Sequence, residues 1–403
     1  MAHILDGIRV LDLSRVLAGP WAGQMLADLG AEVIKVERPG AGDDTRRWGP
    51  PFLKDANGRD TAESAYFLAA NRGKKSLTLD LNQARGQEIA RALALKCDVV
   101  IENFKVGDLA RRGLDYATLA EDHPGLVYCS ITGFGQDGPY ADRPGYDFMI
   151  QGTGGLMSVT GEAGGEPQKA GVALADLFTG AMASNAILGA LYRREKDGLG
   201  QYIDLGLLDV QVAMLANLGL SYLTSGEVPK RQGNAHQTIV PYQVFATADG
   251  HLIVAVGNDA QYRQFCASLG LNALGLDERF ATNPARVRNR EALVPQLAKA
   301  MRAKTSAQWR ATLDAAGVPC GPINALDEVF ADAQVVSRGM VVESAHPCGA
   351  RVRTIGNPIH FSGTPIAYQR PPPTLGEHNG EVLAGVLGLT EAEIAALAAD
   401  GIV

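Results

Sequence analysis

Short runs rich in β-branched residues alternate with segments of helical periodicity over residues 1–135. The runs IRVLDLS, EVIKVERP, CDVVIENF and LVYCSITGF are separated by segments such as GPWAGQMLADLG and QARGQEIARALALK. This alternation is typical of βαβ units on a parallel sheet. The strands VIKV, VVIE and VYCSI are continuously apolar, which indicates that helices cover both faces of the sheet. We therefore predict an α/β fold whose large domain is a doubly wound, Rossmann-like layer.

Changes in composition predict the domain boundaries. A Gly-rich stretch at residues 142–174 precedes a long helix that we expect to begin near Asp176. The polar stretch TSGEVPKRQGNAHQ is the best linker candidate, and after it two strands joined at Asp249-Gly250 lead into amphipathic helices. We predict residues 1–225 as the first part of the large domain, residues 226–330 as a smaller α+β domain, and residues 331–403 as a return segment that completes the large domain.

Composition excludes several classes of protein. A hydrophobic content of 46% and a mean hydropathy of −0.02 predict a soluble globular chain with a large core. The net charge of −7 argues against an extended surface for nucleic acid or anionic membranes. No apolar run reaches the roughly 20 residues of a membrane span, and no targeting peptide is visible, so we expect a cytoplasmic protein. The five scattered cysteines and isolated histidines predict no metal site.

Basic residues offer the clearest sign of a ligand site. The string GFGQDG at Gly133–Gly138 matches a dinucleotide-binding pattern, but Pro139 follows and no helix is expected there. Several basic residues follow predicted strands, at the edge where doubly wound sheets bind ligands. They indicate either a compact phosphate site or a solvated face. These residues are Arg38, Arg46, Arg47, Arg72, Lys74, Lys75, Lys105, Arg111 and Arg112.

Asp176 lies between the Gly-rich stretch and the predicted long helix. Its residue type and position fit an N-cap. A carboxylate at that position would also be held by helix amides and desolvated by Leu174, Leu177 and Phe178, as a reactive group would be. The two roles are compatible with each other.

A series of motifs in this order resembles the family III CoA-transferases along nearly the whole chain. The motifs are RVLAGPWAGQMLADLGAEVIKVERPGAGDDTR, NRGKKSLTLDL, DVVIENFKVGDLARRGL, YCSITGFGQDGP, PGYDFMIQGTGGLMSVTG, ADLFTG, GQYIDLGLLD and RPPPTLGEHN. The segments AHQTIVPYQVF and GVPCGPIN are most similar to the enzymes that move CoA from succinyl-CoA to glutarate and related dicarboxylates.

The resemblance implies a covalent mechanism and a set of partners. Asp176 would be the catalytic nucleophile, forming aspartyl anhydride and aspartyl-CoA thioester intermediates. Coenzyme A thioesters would be substrates, together with a carboxylic acid, and no cofactor would be bound permanently. The resemblance also implies an interlocked homodimer. We expect no nucleic-acid or membrane partner.

The same resemblance implies a groove for CoA and a covered substrate site. The predicted CoA-binding residues are Arg38, Arg72, Lys74, Lys75, Asn103, Phe104, Arg111 and Tyr146. Core packing is the alternative for Phe104. The candidates for contact with the substrate or for a covering loop are Arg15, Leu17, Arg46, Gly154, Gly155, Gly233 and His236. Some relatives have Gln where this chain has Leu17, so a polar substrate contact is not expected there.

Three alternatives remain open at the level of sequence. An α-methylacyl-CoA racemase needs two bases, and that branch resembles GHD where this chain has Gly145-Tyr146-Asp147. A phenol with a pKa near 10 is a poor substitute for imidazole at neutral pH. The second alternative is a CoA-transferase for another acid, such as itaconate. The third is a CoA-binding protein without turnover.

Overall fold

A computed structural model describes residues 3–403 as two compact units. The first unit comprises residues 3–155, 171–216 and 333–403, and the second comprises residues 156–170 and 217–332. The second unit therefore includes residues 217–225, which the sequence analysis assigned to the large domain, and also a segment with the same predicted assignment, residues 156–170. Two hydrogen bonds explain its placement: Gly233 N–H donates to the Gly161 carbonyl at 2.9 Å, and the Arg231 guanidinium donates to the Gly165 carbonyl at 2.7 Å.

Six parallel strands form the sheet of the first unit. Their spatial order is β5-β2-β1-β6-β7-β8, which is the 3-2-1-4-5-6 order of Rossmann folds. The direction of winding reverses between β1 and β6. The strands of residues 3–403 are, in chain order, β1 (Arg9–Asp12), β2 (Glu32–Glu37), β3 (Phe52–Lys54), β4 (Asp60–Ser64), β5 (Lys74–Thr78), β6 (Val99–Glu102), β7 (Val127–Thr132), β8 (Gln201–Gly206), β9 (Tyr242–Ala246), β10 (His251–Ala255), β11 (Cys320–Gly321), β12 (Val341–Ala345) and β13 (Arg351–Ile355).

Helices cover the sheet on both faces, as the apolar strands predict. Val10 and Val99 belong to one buried cluster, while their chain neighbours Leu11 and Val100 belong to the other, because successive strand residues point to opposite faces. The α-helices of the same residues are α1 (Ala18–Asp28), α2 (Ala65–Ala70), α3 (Ala84–Ala94), α4 (Tyr116–Asp122), α5 (Asp147–Thr153), α6 (Leu156–Val159), α7 (Leu174–Asp197), α8 (Leu207–Ala213), α9 (Ala216–Ser225), α10 (Asp259–Ser268), α11 (Asn272–Leu276), α12 (Asn283–Arg288), α13 (Arg290–Met301), α14 (Ser306–Ala315), α15 (Leu326–Ala331), α16 (Ala333–Ser337), α17 (Asn379–Leu387) and α18 (Glu391–Ala399). Short 3₁₀ turns occur at Asp44–Arg47, Ala110–Arg112 and Glu278–Phe280.

Helix α7 packs closely against α1, and small residues make this contact possible. A Cβ at Gly180 would lie 2.6 Å from the Ala18 carbonyl oxygen, so only glycine fits there. By length and hydropathy alone, α7 is the one helix of residues 3–403 that could cross a membrane, and α8 with α9 passes only as a pair bent by 74°. The buried Ala183 and Ile187 of α7 belong to the core of the first unit. This is the packing of a core helix.

The second unit has its own core. Strands β9 and β10 pair in antiparallel fashion on either side of the predicted Asp249-Gly250 turn, and β11 completes a three-stranded sheet. Buried aromatic side chains of this core include Phe245, Phe265 and Trp309. The unit is therefore a small α+β layer stabilised by its own apolar cluster.

Candidate active site

A cavity of about 590 Å³ lies at the point where the winding of the sheet reverses. The loop after β1 and the loop after β6 both line it. These two strands are neighbours in the sheet, and the chain continues from them in opposite directions along the strand order. Ligands of doubly wound sheets bind at such a position. Eight of the residues predicted from the sequence meet here: Arg15, Leu17, Asn103, Phe104, Lys105, Arg111, Tyr146 and Asp176.

Hydrogen bonds fix the two loops to each other. Arg15 N–H donates to Asn103 Oδ1 at 2.9 Å, and Asn103 Nδ2 donates to the Arg15 carbonyl at 2.7 Å. The next residue, Val16, has a φ of 71°, which is unusual for a β-branched side chain. Its N–H faces both carboxylate oxygens of Asp43, and Asp43 forms a buried ion pair with Lys35 at 2.9 Å. The wall of the cavity is thus held by polar groups beneath it.

The candidate nucleophile is in the first turn of α7. The helix begins at Leu174, so Asp176 is not its N-cap, and the cap position is Ala173, which makes no side-chain hydrogen bond. The N-cap interpretation of Asp176 is wrong. Asp147, from α5, takes that role: its Oδ1 accepts the N–H groups of Ala175 at 2.8 Å and of Asp176 at 3.3 Å.

The environment of Asp176 favours its neutral form. Burial, and then the negative charge of Asp147, raise the pKa of Asp176 from 3.8 to about 7. Burial, and then the charges of Asp176, Asp147 and Asp43, raise the pKa of the Tyr66 phenol to about 12. A carboxyl with such a pKa is a stronger nucleophile, once ionised, than an ordinary aspartate.

Four basic side chains line the cavity, together with the acidic side chains Asp44, Asp108, Asp142 and Asp176. Arg15, Lys105 and Arg111 were among the candidates from the sequence, and the structure adds Arg143, which the sequence analysis did not select. The Arg143 guanidinium stacks on the Tyr140 ring at 4.1 Å from its centroid. Such cations are suited to phosphate and carboxylate groups.

A second cavity of about 260 Å³ shares Arg15, Phe104 and Asp108 with the first. Arg38 lines it, as do Arg112 and Asn82 and the apolar side chains Leu13, Val36, Leu79 and Leu81. The Phe104 ring faces the Arg15 guanidinium at 5.4 Å and the Arg112 guanidinium at 5.9 Å. Phe104 is only half-buried, so it belongs both to the edge of the core and to the two cavities.

Five of the predicted basic residues line neither cavity: Arg47 is exposed, and the charges of the other four are paired with carboxylates inside the fold. Those four are Arg46, Arg72, Lys74 and Lys75, whose carboxylate partners are, respectively, Glu37 with Glu63, Asp28, Asp12, and Glu32 with Glu381. Arg72, Lys74 and Lys75 precede or begin β5, so they enter the sheet at its amino edge. Ligands bind at the opposite edge. The structure thus does not bring these four residues to the candidate site.

The predicted loop residues are divided between the two units. Gly154 ends α5, and a Cβ there would collide with Gln211 of α8; Gly155 follows with a φ of 85°. Gly233 and His236 belong to the second unit, where His236 N–H donates to the Tyr242 carbonyl at 2.9 Å.

No group of three or more metal-ligating side chains is assembled within residues 3–403. Gly133–Gly138, the weak dinucleotide motif, is a bend after β7 and opens no helix.

The family assignment follows from the sequence model of CoA-transferase family III, which matches residues 5–379. The chain belongs to this family. A succinate–glutarate CoA-transferase of Agrobacterium fabrum is 52% identical over 380 residues, covering 94% of this chain and 95% of that protein. A succinyl-CoA:glutarate CoA-transferase of Homo sapiens is 43% identical, covering 99% and 90%.

The fold agrees with the family. The crystal structure of a CAIB/BAIF family protein from Brucella suis superposes with a TM-score of 0.84 at 49% identity, covering 96% of this chain and 100% of that one. The protein is thus a family III CoA-transferase with a mixed α/β fold. This assignment favours transfer of CoA over the racemase and non-catalytic alternatives.

Proposed function

We propose that this family III CoA-transferase moves CoA from succinyl-CoA to glutarate or a closely similar dicarboxylate, and that Asp176 carries the reaction. The central observation is a half-buried carboxyl with a pKa raised to about 7 in a cavity that four basic side chains also line. The activities named for the bacterial and human relatives support succinyl-CoA as donor and glutarate as acceptor.

The reaction proceeds by two symmetrical exchanges at Asp176. The ionised carboxylate attacks the thioester carbonyl of succinyl-CoA, the C–S bond breaks, and a mixed anhydride and CoA thiolate form. The thiolate then attacks Cγ of Asp176, the C–O bond to succinate breaks, and an aspartyl-CoA thioester remains. Succinate leaves.

The acceptor repeats these steps in reverse. A glutarate carboxylate attacks Cγ, the C–S bond breaks, and a second anhydride forms. The thiolate then attacks the glutaryl carbonyl, which gives glutaryl-CoA and restores the Asp176 carboxylate. No net proton is consumed. Each anhydride is sensitive to water, so closure of the Gly-rich loop at Gly154 and Gly155 would protect it.

The two cavities divide the recognition of acyl-CoA. The smaller one combines apolar side chains with Arg38 and Arg112, which suits the adenosine end and its phosphates. Phe104 packs between that end and the pantetheine arm, which then reaches Asp176 through the larger cavity. Arg15, Lys105 and Arg143, which line the larger cavity, are our candidates for binding the distal carboxylate of donor and acceptor.

We also propose that the protein forms a homodimer. None of the residues of α9 is buried, even though several are apolar. Leu220 and Leu223 are 64% and 78% exposed, and Val228 beyond the helix is 72% exposed. An apolar helix left bare in this way is typical of a subunit contact. The protein should therefore be a homodimer at micromolar concentration by light scattering, and a monomer there would contradict this part of the proposal.

One assay separates the candidate functions. The protein is incubated with succinyl-CoA and glutarate, and glutaryl-CoA is measured by mass spectrometry; itaconate and oxalate in place of glutarate test the acceptor. Formation of glutaryl-CoA is expected, and hydroxylamine or borohydride should trap the thioester at Asp176 alone. Exchange of the α-proton of a branched acyl-CoA without transfer would indicate a racemase. Binding of CoA without any turnover would overturn both the transferase proposal and the racemase alternative.

A further inference from the structure

Glu102 is a buried carboxyl that lacks a cation partner. Six acidic side chains are buried in the described part of the chain, and for five of them an Arg or Lys nitrogen lies within 4.0 Å. Those five are Asp12, Asp28, Glu37, Asp43 and Glu63. Glu102 is 6% exposed, and no ion pair within residues 3–403 includes it. A buried charge without a cation partner costs free energy of folding. The role of Glu102 is therefore not general stabilisation of the fold.

The hydrogen bonds of Glu102 show what it holds in place. It is the last residue of β6, and its Oε2 accepts the N–H of Phe104, two residues later, at 2.7 Å. It is level with Ser130 of β7, whose hydroxyl contributes a further hydrogen bond. Gln136 Nε2 donates to the same hydroxyl oxygen at 2.8 Å. The carboxyl therefore anchors the turn that leads out of β6.

This turn carries the residues on which both cavities depend. Asn103 is bonded twice to the Arg15 main chain, and Phe104 lines the larger and the smaller cavity. We propose that Glu102 is the positioning residue of the segment 103–106, and that its hydrogen bond to the Phe104 N–H sets the affinity for acyl-CoA without taking part in the transfer. The inference rests on the proposed function only in taking these cavities as the acyl-CoA site.

The charge state of Glu102 should modulate this affinity. Burial raises its pKa from 4.5 to about 7, so the carboxyl titrates near neutral pH. The titratable groups facing it are Tyr128 and Cys129 on β7, Tyr202 on β8, and Asp108 on the loop beyond β6. All are neutral or anionic, so none favours ionisation. The ionised carboxylate is the stronger acceptor, and acyl-CoA should therefore bind more tightly as pH rises through about 7.

Direct binding of CoA tests the proposal without interference from Asp176. The full-length protein is prepared with Asp176→Asn, and Kd for CoA is measured by calorimetry with and without Glu102→Ala or Glu102→Gln. We expect Glu102→Ala to raise Kd about tenfold. Glu102→Gln keeps an acceptor, so its Kd should match that of its parent near pH 6 and exceed it about threefold near pH 8. Dividing the Kd of the variant by the Kd of its parent at each pH cancels the contribution of CoA's own titration.

Asp98→Asn is the matched control. Asp98 precedes the other end of β6, where its carboxylate accepts the Arg9 N–H at 2.7 Å, and it lines neither cavity. This variant should lower the melting temperature and leave Kd for CoA within about twofold. In the active protein, Glu102→Gln should raise KM for both acyl-CoA substrates and change kcat by less than about threefold.

The possible failures are distinguishable. A folded Glu102→Ala protein that binds CoA within about twofold of its parent overturns the positioning role. So does a Kd for Glu102→Gln that equals that of its parent at both pH 6 and pH 8, and this measurement remains decisive if the alanine variant does not fold. If the parent protein does not bind CoA, or if Phe104→Ala and Arg111→Ala leave its Kd unchanged, the assignment of the cavities fails instead.

Discussion

The carboxylate of Asp147 accepts the main-chain N–H of Asp176 at 3.3 Å, and its charge also raises the pKa of the Asp176 side chain. One residue therefore fixes the start of α7 and opposes ionisation of the proposed nucleophile. Its second oxygen accepts Gln151 Nε2 at 2.7 Å, which holds the carboxylate in place. Position and reactivity of Asp176 are thus coupled through a neighbouring helix.

The variant Asp147→Asn should separate these two effects. The amide oxygen still accepts the N–H groups of α7, but the negative charge is gone, so the pKa of Asp176 should fall from about 7. Asp176 reacts only when ionised. The acidic limb of the pH profile of kcat/KM should therefore move to lower pH, by about half a unit to one unit.

Asp147→Ala provides the comparison, since it removes both the charge and the cap. We expect it to lower kcat at every pH, because the Ala175 and Asp176 N–H groups lose their acceptor. An acidic limb that stays in place in Asp147→Asn would exclude an electrostatic role for this residue.

Replacement of Asp176 should abolish transfer and leave binding intact. Asp176→Ala removes the atom that forms both anhydrides, so kcat should fall by at least about a thousandfold. Asp176→Glu keeps the carboxyl but moves it by about one bond length, and it should be nearly as inactive. Calorimetry with CoA checks that both variants still bind. Substantial turnover by Asp176→Ala would assign the nucleophile to another residue.

The raised pKa of Asp176 also has a cost in stability. In the unfolded chain the carboxyl ionises near 3.8, but in the folded protein it does so near 7, so this group loses stabilising effect as pH rises between those values. Asp176→Asn should therefore raise the melting temperature near pH 8 by a few degrees and by less than half as much near pH 5. Thermal unfolding at the two pH values measures the difference. An equal gain at both would point to packing rather than charge.

Much of the fold was predictable because local patterns express it directly. The alternation of apolar strands and helices indicated the parallel sheet, and the strand order then brings the loops after β1 and β6 together. Arg15, Asn103 and Phe104 could be predicted on that basis together with the family resemblance. The predicted start of α7, near Asp176, lies two residues beyond the observed start at Leu174. The prediction missed it because the helix is capped by Asp147, which is distant in sequence.

Most of the residues wrongly predicted to bind a ligand are basic side chains that form ion pairs inside the fold. Arg46 and Arg72 carry the same side chain as Arg111, yet they are buried with carboxylates whose positions depend on tertiary structure. A sequence pattern reports residue type and spacing, and neither reveals whether a guanidinium faces a ligand or an internal acid. Asp147 lay within a motif already recognised, but its contact with α7 required the packed structure.

Arg46 should be structural rather than a substrate ligand. Its guanidinium bonds Glu37 at 2.7 Å and Glu63 at 2.8 Å and lies 3.6 Å from the Phe67 ring centroid. Removing one partner of a buried ion pair costs about 3–5 kcal/mol, so Arg46→Met should lower the free energy of unfolding by that order. Denaturant titration measures it. The KM for glutarate should be unchanged at temperatures where the variant is folded, and a selective increase would return Arg46 to the site.

Arg111→Ala should weaken binding of both acyl-CoA substrates without loss of stability. Arg111 is 69% exposed at the rim of the larger cavity and forms an i,i+3 ion pair with Asp108. Arg85 is 58% exposed, pairs with Glu88 at the same spacing and lines neither cavity, so Arg85→Ala is a matched control. Because both thioesters share the CoA moiety, Arg111→Ala should raise their KM values together by about tenfold, with Arg85→Ala unchanged. A change confined to the acceptor acid would instead place Arg111 at the distal carboxylate, and equal effects of the two variants would reduce its role to surface charge.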